Sequence, residues 1–181
     1  MRSQMRFLLW HDAFEKAARS FDLAVKLEKR RKKIFSKHNP DTGTPNVGGI
    51  DLVEIGLICD ALVDSGVMAM MTVFGLGEGN EQIADNAELR EVHNRLLKRA
   101  ASATGIPEEE AVALISQLRA YRNEVVAHTD ANRFSDVSLE QGEGPIEWRG
   151  KYKRKVDRPL SARLSRLAGA CAQEALSLAT P

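Results

Sequence analysis

Cysteine is nearly absent from this chain: its 181 residues hold two, Cys59 and Cys171, far apart in sequence. No Cys-x-x-Cys pair and no Cys/His ligand spacing occurs, which argues against a zinc module and against a disulfide framework. Aromatic residues make up only 6%. An excess of one charge is also missing. The 26 Lys and Arg face 25 Asp and Glu, for a net charge of +1, so whole-molecule charge implies neither a nucleic-acid nor a membrane partner. Long uninterrupted apolar runs are lacking as well. FLLW, at 7–10, is followed by His11-Asp12 and is too short for the apolar core of a secretion signal. The longest apolar stretch, DLVEIGLICDALVDSGVMAMMTVF, carries Glu54, Asp60 and Asp64 in its interior. A lipid-facing helix tolerates such residues poorly, so a buried core helix is expected. Few cysteines, no secretion signal and no membrane span together imply a cytoplasmic protein.

What is present is an ordinary globular composition, 43% apolar and 28% charged, long enough for one domain over 1–181 with a real core. Apolar positions recur at helical spacing from the start: Phe7, Trp10, Phe14, Ala17, Phe21 and Val25. KHNPDTGTPNVGG then breaks the chain. The apolar helix opens at Asp51 and ends near Phe74. A third helix runs from about Gln82 to Ala103, with Leu89, Val92, Leu96 and Ala100 on one face. Ile106-Pro107-Glu108-Glu109-Glu110 starts a fourth, because proline fits a first turn and glutamates favour the positive end of the helix dipole. Its expected apolar face is Val112, Ile115, Leu118, Val125 and Val126. Residues 131–158 lack helical period and hold Gly142, Gly144, Pro145 and Gly150, which suits a polar loop or a short hairpin. Pro159 opens a last helix with Leu160, Leu164, Leu167, Cys171, Ala175 and Leu178 on one stripe. The expected fold is all-α: an antiparallel bundle of about five helices with a long polar insert before the last.

Near the C-terminal end of the fourth helix stands YRNEVVAHTD, residues 121–130. Five residues separate Arg122 from His128. On one straight helix, residues six apart differ by roughly 600° of rotation, so they point about 120° apart with about 9 Å of rise. They meet only if the helix ends before His128, or if a second copy of the chain brings its own motif alongside. Glu124 and His128 do share a face, as do Arg119 and Asn123. The residue types suit metal-independent cleavage of RNA, in which the 2′-hydroxyl attacks the adjacent phosphate. Imidazole, with an ordinary pKa of about 6.5, moves protons near neutrality. Guanidinium grips phosphate oxygens with two donors at once. An amide orients a phosphate or hydroxyl, and Glu124 is placed to hold the imidazole and raise its pKa. The same residues also suit plain phosphate binding, and dipole and capping preferences alone supply Arg, Asn and His at a helix C-terminus.

RNEVVAH, preceded by LRAY and followed by TD, resembles the signature of the HEPN superfamily (higher eukaryotes and prokaryotes nucleotide-binding). That signature is an arginine, usually a polar residue after it, and a histidine a few residues on. The form with Asn123 after Arg122 and Ala127 before His128 is similar to the branch containing phage abortive-infection proteins. The resemblance implies an all-α bundle whose motif helix pairs across a homodimer. Many members are metal-independent endoribonucleases acting as toxins or antiphage defence effectors, some with a nucleotidyltransferase-like antitoxin. Others have lost activity and bind a nucleotide, RNA or a protein partner. Carried over, Arg122 and His128 are the catalytic pair and Asn123 the supporting polar residue, with no cofactor and no metal. Glu124 is added from spacing alone.

Two basic clusters stand out. KLEKRRKKIFSK, residues 26–37, has seven basic residues and one acid, and RGKYKRKVDR, 149–158, has six and one. Either suits an RNA backbone, with Trp148 or Tyr152 to stack on a base; either is equally a solvated surface. Lys151, Lys153, Arg154 and Lys155 are the preferred RNA-binding candidates, because they follow the motif. His93 reads as a boundary histidine, and His11 and His38 have no evident companions. GLGEGN at 75–80 lacks the strand before it and the Lys and Ser/Thr after it that a phosphate loop requires.

Overall fold

The structure is a computed structural model that describes residues 2–37, 46–47, 50–74, 87–123, 137–140, 147–150 and 158–180. Among them five helices dominate: α1 (Arg2–Phe35), α2 (Leu52–Phe74), α3 (Ala87–Thr104), α4 (Glu108–Tyr121) and α5 (Arg158–Ala179). The all-α bundle expected from the apolar periodicity is the observed architecture. Two small antiparallel strand pairs accompany it. Asn46–Val47 pairs with Ile50–Asp51, and Val137–Glu140 pairs with Glu147–Gly150 in the register Val137↔Gly150 to Glu140↔Glu147.

The 34 residues of α1 make it the spine, roughly 51 Å long. It lies antiparallel to both α5 and α2. Along α5, the His11 ring pairs through Nδ1 with the Ala172 carbonyl at 3.0 Å, and the Ser165 hydroxyl donates to the Ala18 carbonyl at 3.0 Å. His11 thus has a partner that its sequence neighbours do not reveal. Alanines at 168, 172 and 175 on α5 and at 17 and 24 on α1 are buried, and their small side chains let the two backbones come close. Along α2, Phe21 packs so tightly over Gly66 that an added Cβ would fall 2.9 Å from its ring. Further along, the Cys59 thiol faces the Ala24 carbonyl at 3.8 Å.

The main core joins all five helices. Trp10, Phe14 and Phe21 of α1 meet Val63, Val67 and Met70 of α2, Leu96 of α3, Leu114 and Leu118 of α4, and Leu164 and Leu167 of α5. Truncating Phe14 or Phe21 to alanine removes about 3–5 kcal/mol of stability on the scale of such core deletions. A smaller cluster of Leu52, Ile55 and Cys59 packs with Leu27 and Ile34 at the far end of α1.

Three details differ from the sequence reading. On α4, Val112 is 51% exposed, and the buried stripe is Ala111, Leu114, Ile115, Leu118 and Tyr121. That stripe keeps helical spacing, and Val112 lies about 100° off it. On α1, Ala24 is buried and Val25 only half-buried, again a shift of one position. The apolar helix α2 is a core helix on one side only. Val63, Val67 and Met70 are buried, whereas Leu57 is 65% exposed and Ile58 and Met68 are exposed too. The stretch Glu54–Phe74 is long and apolar enough to cross a membrane by length and composition, and half of it is buried inside the protein. Val125 and Val126, assigned to the apolar face of the fourth helix, lie outside the described residues.

Candidate functional site at the C-terminal end of α4

The entry to α4 is built by local chemistry. Gly105 adopts φ +68° and ends α3 in a paired cap: its N–H donates to the Ser102 carbonyl at 3.2 Å, and the Ile106 N–H donates to the Ala101 carbonyl at 3.0 Å. Those two bonds and the buried Ala101 and Ile106 form the Schellman arrangement that glycine favours. Pro107 then precedes Glu108, Glu109 and Glu110 in the first turn of α4. Glu108 pairs with Lys98 at 3.2 Å, and Glu110 pairs with Arg163. Both pairs are substantially exposed and so add little stability.

At its other end α4 delivers four polar side chains in five residues. Arg119 Nη2 donates to the Phe74 carbonyl, the last of α2, at 3.0 Å. A guanidinium there satisfies an orphan carbonyl and favours the negative end of the α2 dipole. Its Nε is buried without a hydrogen-bond partner among the described residues. Tyr121 is 3% exposed, and its hydroxyl donates to Asp64 Oδ1 at 2.8 Å. The helical winding then loosens into a π-type turn at Arg122 and Asn123, a local widening common where helices carry function. Arg122 donates from both Nε, at 2.9 Å, and Nη2, at 2.7 Å, to Asn123 Oδ1. Both residues are half-buried.

The amide oxygen therefore sits where a phosphate oxygen would sit in a bidentate contact, along the Nε/Nη2 edge of the guanidinium. Arg122 and Asn123 are brought together as one unit, held from behind by Tyr121 on Asp64. Glu124 and His128 lie outside the described residues, as do Lys151, Lys153, Arg154 and Lys155, the GLGEGN stretch and His38.

Sequence reasoning missed Arg119 and Tyr121 as the residues that anchor the motif. One signal was available: Asp64 lies inside a largely apolar run, where a carboxylate calls for a donor. His93 lies in an aromatic niche, its ring centroid 4.6 Å from Trp10 and 5.8 Å from Phe74. Burial lowers its pKa, and the positive charge of Arg6 lowers it further. Both cysteines are buried, and neither forms a disulfide. Burial pushes the Cys171 thiol up, with Glu174 adding to the shift, so it is not a thiolate nucleophile near neutrality. Among the described residues no group of three His, Cys, Asp or Glu is placed to hold a metal ion.

No family model matches the chain, and neither a curated protein nor a solved structure matches it.

Proposed function

We propose that the chain is a HEPN-like, metal-independent endoribonuclease of a toxin or antiphage defence system. The observation that carries this reading is the Arg122–Asn123 unit. A guanidinium is presented at a helix end, with its phosphate-gripping edge already satisfied by an amide oxygen, on a bundle of the expected class. In the proposed reaction the 2′-hydroxyl of RNA attacks the adjacent phosphorus and the bond to the 5′-oxygen breaks. The products end in a 2′,3′-cyclic phosphate and a 5′-hydroxyl. Arg122 neutralises the pentacovalent phosphate, and His128 moves the proton as general acid and base. Asn123 positions the substrate once phosphate replaces its oxygen on Arg122, and Glu124 supports the imidazole.

The active unit in this proposal is a homodimer in which two motif ends line one groove. Support for self-association comes from α2, whose exposed Leu57, Ile58 and Met68 lie on one side of the helix. Light scattering checks this: a dimer is expected for the natural chain and a monomer for Leu57→Glu/Met68→Glu.

The Asn123 contact also favours a second reading. Because the amide occupies two donors of Arg122, the same site fits a non-catalytic HEPN-like module that binds a nucleotide, RNA or a protein partner. Incubation with total RNA in chelator separates the two. Cleavage that persists in EDTA and disappears in both Arg122→Ala and His128→Ala supports the nuclease. Binding without cleavage supports the module. A nucleotidyltransferase-like antitoxin remains the partner expected of a toxin of this kind.

A further inference from the structure

The last turns of α1 and the two residues after it carry seven cations, and the structure separates them into two kinds. Lys26 pairs with Asp22 at 2.6 Å, and Arg31 pairs with Glu28 at 3.5 Å. Lys29, Arg30, Lys32, Lys33 and Lys37 are all exposed, and among the described residues no carboxylate lies within ion-pair distance of any of them. Their number exceeds what a helix end requires. The dipole of α1 rewards cations in its last turn only, whereas this group begins at Lys29, well before that turn. Within it, Lys29 and Lys33 are like charges four residues apart on the helix, an arrangement that weakens it. The group thus holds positive charge that no carboxylate among the described residues compensates, and a polyanion would relieve it.

The shape of the group selects among polyanions. Lys29, Arg30 and Lys33 fall within about 100° of arc on α1, and the one large apolar side chain exposed among residues 29–37, Phe35 at 68%, lies on the opposite side of the helix, nearest Lys32. A lipid surface calls for an apolar face to insert, and one ring does not make such a face. A single-stranded nucleic acid calls for spaced cations along its phosphates and needs no apolar face.

The position of the group also fits. The Arg31 guanidinium lies over Gly56 of α2, 3.6 Å from a Cβ built there, and the Tyr121 hydroxyl reaches Asp64 of the same helix. Gly56 and Asp64 lie eight residues apart, about 12 Å along α2 and about 80° around it. The basic end of α1 and the Arg122 end of α4 therefore dock on neighbouring faces of one helix, a separation that a few nucleotides of extended strand bridge.

We infer that the exposed C-terminal end of α1 and the two residues after it, with Lys29, Arg30, Lys33 and Lys37 on phosphates, form the docking surface for a single-stranded RNA whose chain runs on to Arg122. The choice of RNA among nucleic acids rests on the ribonuclease reading above.

The test uses the full chain carrying His128→Ala, a short fluorescent single-stranded RNA and EDTA, with binding followed by polarisation from about 50 to about 200 mM salt. The fourfold variant Lys29→Gln/Arg30→Gln/Lys33→Gln/Lys37→Gln is expected to bind roughly tenfold or more weakly. Its salt slope should be shallower by about 0.7 for each phosphate that the protein no longer neutralises. Lys29→Arg/Lys33→Arg/Lys37→Arg keeps the charge and is expected to bind as tightly as the parent. This guards against loss through misfolding, as does the two-site variant Lys29→Gln/Lys33→Gln, expected to fall between. Equal affinity and equal slope in parent and fourfold variant would overturn the inference. So would patch-dependent capture on phosphatidylserine vesicles by a chain that ignores RNA. If patch-dependent RNA binding is found but the natural chain with His128 intact cleaves nothing, the ribonuclease reading falls and the docking surface stands. If cleavage depends on His128 while the fourfold variant binds like the parent, the docking surface falls alone.

Discussion

The C-terminal ends of α1 and α4 carry the same kind of charge and treat it in opposite ways. On α4 each cation has a place: Arg119 holds the last carbonyl of α2, and Arg122 is gripped through two donors by Asn123. At the end of α1 and just after it, five cations stand exposed with no carboxylate within ion-pair distance among the described residues. A fixed guanidinium is oriented before a ligand arrives and gives up little freedom on binding. A loose cluster of lysines offers charge without geometry. The first arrangement suits a single phosphate at a defined point, the second a strand that must be attracted and held along its length.

Substitutions at the α4 end are expected to have the largest effects. Arg122→Ala should lower RNA cleavage in EDTA by roughly 10²–10³-fold, the scale of removing one preorganised donor from a developing anion. Arg122→Lys should recover little of it, because an ammonium cannot reproduce the two-donor fork. Cleavage of a fixed RNA, timed on denaturing gels, measures both. Raising the salt should not rescue or mimic either loss. At the α1 end salt should reproduce the effect of the substitutions, since that charge acts over distance.

Stability should separate the two ends next. Arg119→Met removes a charged donor from a helix-end carbonyl and should cost about 1–2 kcal/mol, a fall of about 2–8 °C in Tm for a chain of this size. Tyr121→Phe should cost about 1 kcal/mol by releasing Asp64, and should reduce cleavage less than Arg122→Ala does. Neutralising Lys29 and Lys33 should leave Tm unchanged or slightly higher, because like-charge neighbours are removed. Thermal melts followed by circular dichroism read all three. A clear loss of stability from the α1 variant would erase the contrast.

The smallest effect should come with acid. Folding lowers the pKa of His93 below its ordinary 6.5, through burial first and Arg6 second. Below pH 6.5 the unfolded chain takes up this proton while the folded chain resists it. The neutral imidazole's contribution is therefore fully present above pH 6.5 and is lost as pH falls toward the lowered value. His93 packs on Phe74, the residue whose carbonyl Arg119 holds, so the loosening should begin at the α4 end. Denaturant melts of the parent and His93→Phe across this range should show the slope in the parent and its reduction in the variant.

Much of the fold was legible in the sequence because apolar period and helix punctuation act locally. Phe14, Ala17 and Phe21 repeat at helical spacing, and Gly105 with Pro107 marks one helix end and the next start. Faces were less legible where two registers compete, as with Val112 beside Ala111. The exposed side of α2 was illegible, because an apolar side chain reads alike whether it faces its own core or the outside. At the candidate site, Arg122 and Asn123 were singled out and lie together. The hydrogen bonds between them did not follow from spacing, since adjacent helical residues do not normally face one another. The anchors Arg119 and Tyr121 depend on carbonyl and carboxylate groups from α2, about 45 and 57 residues away in sequence, and no local pattern carries that information.

The central claim is that one guanidinium and one imidazole cut RNA through its own 2′-hydroxyl. Analysis of the RNA ends produced in EDTA tests it most directly. The expected products carry 5′-hydroxyl and 2′,3′-cyclic phosphate ends and are absent with Arg122→Ala or His128→Ala. Ends bearing 5′-phosphate, cleavage only when a divalent ion is supplied, or equal cleavage by the natural chain and both variants would contradict it.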